Sequence, residues 1–227
     1  MNMKKIISFF IVACCAMCAT AAKVVWQIGV ADNSGTELAL GPSEYKKFLA
    51  HDFGYEDRYF LVGTSVDKND FPYVLPGPDD TWGGTWSTSG WRTHDANILF
   101  GIKKLPKHGK WKLVVDLVDA NPSRSVVKVM VNSAEKKFEI KGHSKGVLEG
   151  NLQDAKEQIL EFPISANDLK KGGNMVTVSV LEGGWIVFDQ IRLEGADELV
   201  LEKNNEYAFL RNVAPAEYEM EMDGAKI

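Results

Sequence analysis

The sequence predicts an all-β domain, a sandwich or a barrel, on three observations. Segments of period-2 hydrophobic alternation recur along the chain, turn-forming residues punctuate them at short intervals, and helical signals are few. The remaining length supports one such domain with a substantial core and is too short for two ordinary ones.

Taken in order, the first element is a leader. Met1-Asn2-Met3-Lys4-Lys5 carries two positive charges, an apolar run follows from Ile6 to Met17, and the small residues Ala19-Thr20-Ala21-Ala22 close it. This is the layout of a secretory signal peptide over residues 1–22, its apolar run too short to span a bilayer comfortably, cleaved after Ala21 or Ala22. Ile11-Val12-Ala13-Cys14 resembles a lipoprotein cleavage box, and that second reading leaves Cys14 lipid-anchored. The predicted destination is export: periplasmic, secreted, or an outer-surface lipoprotein. Cys14, Cys15 and Cys18 are all the cysteines of the chain, so the mature domain has no thiol and is held by its core alone.

Strands are predicted at 24–30, 58–63, 97–102, 111–118, 126–132, 137–141, 158–164, 175–181 and 185–194. Met175-Val176-Thr177-Val178-Ser179-Val180-Leu181 puts three valines on one face and polar residues on the other, the signature of a half-buried strand. Residues 111–118 are apolar on both faces, which predicts a central strand. Gly41-Pro42, Pro76-Gly77-Pro78, Lys107-His108-Gly109-Lys110, Asn121-Pro122, Gly172-Gly173-Asn174 and Gly183-Gly184 supply the turns. A short helix is predicted over 43–50, capped by Ser43, and one helical turn over 165–171, stopped by Gly172. Glu217-Tyr218-Glu219-Met220-Glu221-Met222-Asp223 alternates like a strand. It is read either as an edge strand closing back on the domain or as the start of a further module. The expected organisation is a leader over 1–22, a sandwich over 23–200, and an extension or new module over 201–227.

The net charge of −5 argues against nucleic acid and anionic membrane surfaces, both of which favour basic patches. The chain lacks a phosphate-binding Gly-x-x-x-x-Gly-Lys loop, His-x-x-x-His spacing and an EF-hand loop, so the strong nucleotide, zinc and calcium patterns are absent. No cofactor is expected. Asp32-Asn33-Ser34-Gly35-Thr36-Glu37 offers oxygen ligands for a structural calcium, although such a sequence is more often simply a turn.

Chemistry concentrates in a glycine-rich loop that holds Trp82, Trp86 and Trp91, with Asp79, Asp80, Arg92, His94 and Asp95 nearby. Sugar C–H faces pack on aromatic rings and sugar hydroxyls need paired donors and acceptors, so these residue types suit carbohydrate binding. The competing reading is that the rings anchor a long loop over the end of the domain, with even weight for each tryptophan. A weaker set is Tyr45, Lys47, His51, Arg58 and Tyr59, which supplies the base, proton donor and cation that eliminative cleavage of uronic-acid polymers requires.

Trp26-Gln27-Ile28-Gly29, then Tyr59-Phe60-Leu61-Val62-Gly63-Thr64-Ser65 with Asp70-Phe71-Pro72-Tyr73, then residues 125–132, and finally Trp185-Ile186-Val187-Phe188-Asp189-Gln190-Ile191-Arg192-Leu193-Glu194 occur in an order that resembles one family. It is the carbohydrate-binding-like C-terminal domain, domain III, of family 4 polysaccharide lyases, the rhamnogalacturonan lyases. The resemblance runs from Trp26 to about Glu194. It implies a jelly-roll β-sandwich, galactose-binding-like, from a bacterial secreted glycan-processing protein. In that family the catalytic groups lie in a separate domain, so no catalytic residue is assigned here. Two features depart from the family: the module directly follows the leader, and residues 82–91 have no counterpart. Trp26, Trp111 and Trp185 are assigned to the core, and Asp189 to fixing a loop.

The expected function is a non-catalytic carbohydrate-binding-like module of a secreted bacterial polysaccharide-degrading system, binding plant or pectic glycan through Trp82, Trp86, Trp91, Asp79, Asp80, Arg92 and His94. The alternatives are a polysaccharide lyase acting by β-elimination, and a structural module packed on a covalently linked catalytic domain.

Overall fold

The computed structural model describes residues 22–50, 53, 58–84, 93–203, 221–222 and 225–226. In chain order its strands are β1 (Lys23–Gly29), β2 (Arg58–Leu61), β3 (Val74–Leu75), β4 (Asp95–Lys104), β5 (Lys110–Ala120), β6 (Arg124–Val131), β7 (Ala134–Lys141), β8 (Gln158–Ser165), β9 (Gly172–Glu182), β10 (Ile186–Gly195), β11 (Val200–Glu202), β12 (Glu221–Met222) and β13 (Ala225–Lys226). One five-stranded sheet has the order β1-β10-β5-β8, with β3 continuing the edge of β10 beyond β1. A six-stranded sheet has the order β11-β4-β9-β6-β7, with β2 parallel to β4. From β4 to β6 and again from β7 to β10 the chain alternates between the sheets. This wrapping makes the fold a β-sandwich of the jelly-roll kind.

Alternation decides which side chains meet between the layers. Trp26 and Ile28 of β1, Leu113, Val115 and Leu117 of β5, and Ile191 and Leu193 of β10 face Ile98, Phe100 and Ile102 of β4, Val127 and Val129 of β6, and Val176, Val178 and Val180 of β9 in one buried cluster. Trp26 meets Phe100 across the gap with ring centroids 5.4 Å apart. Each such aliphatic or aromatic side chain contributes about 1.5–3 kcal/mol on full burial, which is how a domain without thiols is held. Trp111 and Trp185 are likewise buried. β5 pairs with β10 on one side and β8 on the other, so its two-faced apolar sequence matches an interior place in the sheet.

Local chemistry modifies the expected elements. Residues 43–50 form a single 3-10 turn, Tyr45–Lys47, not a helix capped by Ser43. Ser43 stands at φ +77, outside helical geometry. Three residues per turn also place Tyr45 and Phe48, both buried, on one side. The expected helical turn before Gly172 is a hydrogen-bonded turn in which the Asp168 carboxylate accepts from the Ser165 N–H and hydroxyl at 2.8 and 2.6 Å. The sandwich continues past residue 200, since Leu201 and Glu202 pair with Ile102 and Gly101. Of the C-terminal alternating segment, Glu221 and Met222 pair with Lys226 and Ala225; residues 217–220 and 223 lie outside the described residues, as does the leader through residue 21.

The two ends of the sandwich differ. Ala120, Glu182 and Ile186 mark one end together with Asp95, the first residue of β4, and the described segments 30–50, 76–84, 93–94, 121–123, 142–157 and 183–185 gather there. The β6–β7 turn and the 166–171 connection lie at the other.

Candidate functional site

The aromatic loop begins where β3 ends, and its course is set by a close backbone approach. A Cβ on Gly77 would lie 2.4 Å from the Gly183 carbonyl oxygen, so glycine is required there. Asp79 N–H donates to that same Gly183 oxygen at 3.0 Å. Asp80 folds back, its carboxylate accepting from Gly77 N–H at 2.8 Å while its own N–H donates to the Gly77 carbonyl. A 3-10 turn, Thr81–Gly83, then ends at Gly84, whose φ of +70 is left-handed.

Asp80 is 7% exposed, and burial pushes its pKa up to about 6, with help from the neighbouring Asp79 charge. Hydrogen bonds from the Gly77 and Trp185 main chain and from the Trp82 side chain act in the opposite direction. His94, 2% exposed, donates from Nε2 to the Gly83 carbonyl and lies against Phe48 with ring centroids 5.3 Å apart. Asp80 Oδ2 and His94 Nε2 thus serve the loop's own backbone.

Trp82 is half-buried. Its ring meets Tyr45 edge-on, with centroids 5.0 Å apart and planes at 77°, and meets Phe48 at 6.1 Å and 81°. Near-perpendicular rings do not make a continuous flat platform, so the partly open Trp82 face is the only stacking surface among the described residues of the loop. Tyr45 donates its hydroxyl to Glu149 at 2.9 Å, and Lys46 stands 5.4 Å from the Tyr45 ring centre. Burial first, and then the Glu149 carboxylate, raises the Tyr45 pKa. Asp79, Lys46 and Glu149 are exposed around Trp82 and its supporting ring. Trp86, Trp91 and Arg92 lie outside the described residues. Sequence reading missed Glu149 and gave Tyr45 another role; no local signal joins Tyr45 to a carboxylate so distant in sequence.

Of the eliminative set, Tyr45, Lys47 and Tyr59 fall among the described residues. Tyr45 is tied to Glu149, Lys47 is paired with Glu44, and His51 and the Arg58 side chain lie outside the described residues. In the acidic turn of 32–37, Asp32 accepts from the Ser34 hydroxyl at 2.7 Å and Glu37 from Val30 N–H at 2.6 Å. Asn33 Oδ1 and Glu37 Oε2 are buried without a partner, two oxygens against the six to eight that calcium takes. Among the described residues no group of three or more His, Cys, Asp or Glu is arranged to hold a metal. Asp189 accepts from Ser34 N–H at 3.0 Å, fixing this turn to β10 as its sequence position suggested.

Comparison with known proteins adds three findings. The family model described as CBM-like, polysaccharide lyase family 4, domain III, matches residues 24–193. A rhamnogalacturonate lyase of Dickeya dadantii (strain 3937) is 24% identical over 183 residues, a span covering 76% of this chain and 28% of that protein. The chain therefore corresponds to little more than a quarter of the relative's length. Among solved structures, a family 35 carbohydrate-binding module from Cellvibrio japonicus Abf62 is 13% identical, with a TM-score of 0.34 over 50% of this chain and 73% of that one. Another, from an environmental isolate, is 14% identical, with a TM-score of 0.33 over 49% and 72%. Both structural likenesses are slight, and the sandwich is established by its own two sheets.

Proposed function

Because the chain belongs to the CBM-like domain III family of polysaccharide lyase family 4, we propose that it is a non-catalytic carbohydrate-binding-like module of a secreted bacterial polysaccharide-degrading system, engaging plant or pectic glycan at its aromatic end. The observation that carries this reading is the half-buried Trp82, braced edge-on by Tyr45 in a loop pinned from beneath by Asp80 and His94. A pyranose C–H face packs on the open side of the indole, and the exposed Asp79 carboxylate accepts from neighbouring hydroxyls. Trp86, Trp91 and Arg92 join the proposed binding set on sequence grounds alone. Asp80 and His94 act by holding the loop's shape.

Tryptophan fluorescence titrated with pectic and other plant oligosaccharides tests this. Saturable change is expected, lost in Trp82→Ala and weakened in Trp86→Ala and Trp91→Ala. No response to any glycan, or unaltered binding in all three variants, would remove the proposal. Export is proposed through the leader, with a lipid at Cys14 as its variant; the mass of the mature N-terminus separates them.

A second reading, a structural module packed on a covalently linked catalytic domain, is favoured by one observation: the lyase relative is much longer than the matched span. Under it, the Trp82 surface is an interdomain contact, and the isolated chain binds no glycan while still binding that domain.

A further inference from the structure

At the end of the sandwich away from the aromatic loop, the β6–β7 hairpin and the connection into β9 line an open cleft of about 600 Å³, inside the span of about 300–1,000 Å³ usual for small-ligand sites. Its floor is apolar. Leu99 and Leu169 are nearly covered, so Met175, 36% exposed, provides most of the accessible apolar surface.

The walls are built from amide side chains. Asn132, at φ +52 in the two-residue turn between Val131 and Ala134, donates from Nδ2 to the Asp168 carbonyl at 2.8 Å and to Asn174 Oδ1 at 2.9 Å. Its own Oδ1 accepts from Met175 N–H at 3.2 Å. Asn174, 2% exposed, accepts from Lys170 N–H at 2.9 Å and donates to the Lys170 and Gly172 carbonyls at 2.7 and 3.0 Å. Every amide atom of both side chains is used, which fixes the walls before any ligand arrives.

Ser133, Asn167 and Lys170 also line the cleft and are exposed. Their side chains make no hydrogen bond or ion pair among the described residues. The acid beside them, Asp168, is turned to Ser165. The cleft therefore presents a hydroxyl, an amide and an ammonium above an apolar floor between preset walls.

We propose that this cleft is a second binding site, for a short oligosaccharide that carries a carboxylate. The C–H face of one ring rests on Met175, ring hydroxyls exchange hydrogen bonds with Ser133 and Asn167, and the carboxylate pairs with Lys170. The inference builds on the glycan-binding reading of the chain but places a separate site, with its own charge preference, at the opposite end.

The test is amide NMR of the chain from residue 23, with trigalacturonate, its methyl ester and a neutral galactose trisaccharide as probes. Trigalacturonate is expected to shift Ser133, Asn167, Lys170 and Met175. Lys170→Glu and esterification are each expected to weaken binding there by about fivefold, the scale of one partly exposed ion pair, whereas Trp82→Ala leaves it unchanged. Equal binding of acid and ester, or an unaltered dissociation constant in Lys170→Glu, overturns the proposal. Shifts confined to the Trp82 end overturn it while leaving the proposed function standing; silence from all three sugars at the cleft overturns it too, and the proposed function then stands or falls on the wider glycan titration.

Discussion

At the aromatic end, the ring offered to a ligand is also packed into the structure that holds the loop; at the amide cleft the two tasks fall to different residues. Trp82 packs on Tyr45 and Phe48 and also presents the open ring. In the cleft, Asn132 and Asn174 brace the walls while Ser133, Asn167 and Lys170 face outward. Recognition at the first end is therefore coupled to local stability, and at the second it is separable from it. That difference has measurable consequences.

The largest expected effect is at a brace. Asn174→Leu strands the Lys170 N–H and the Lys170 and Gly172 carbonyls in a buried place, and is expected to cost about 3 kcal/mol, read as a lower urea midpoint at unchanged slope. A loss under about 1 kcal/mol would mean that the walls are not held by this network. Next comes pH. Burial raises the folded pKa of Asp80 from 3.8 to about 6, so the folded chain holds a proton that the unfolded chain has released. Its stabilising share is complete below pH 4 and disappears as pH rises through 6, by about 3 kcal/mol. Asp116, on the outer face of β5, is pushed up to about 6 by burial and by Glu157 and Asp189 and titrates in the same window. Asp80→Asn should accordingly flatten, without abolishing, the fall in melting temperature between pH 4.5 and 7.5. A profile identical to wild type would place the coupling elsewhere.

Trp82→Ala is expected to cost about 2 kcal/mol in stability along with glycan binding, since a half-buried ring is lost; glycan loss at constant stability would break the claimed coupling. Tyr45→Phe removes only the bond to Glu149 and should cost about 1 kcal/mol in chemical denaturation. The smallest effect belongs to Lys170→Glu, within about 0.5 kcal/mol of wild type. A larger destabilisation there would erase the contrast between the ends.

The strands were legible because alternation is local: Val176, Val178 and Val180 announce their buried face by themselves. The helix expected at 43–50 was not realised because Ser43 takes a left-handed backbone and Phe48 is drawn under Trp82 and His94. At the aromatic end, residue types were legible but directions were not. Whether Asp80 points to solvent depends on its approach to Gly77 and Trp185, and the setting of Trp82 depends on a tyrosine from another loop. The amide cleft left no sequence signal, since Asn132 and Asn174 meet only after β6 and β9 have paired.

The pairing of Lys23 with Gly195 and of Ile28 with Ile191 gives β1 a partner that is nearly the last strand of the sandwich to be made. Synthesis must therefore pass Gly195 before the first strand finds its place, and the edge of the growing sheet stays open until then. Such distant pairings slow folding to the order of milliseconds to seconds. The fold thus locks shut only when its last long strand arrives.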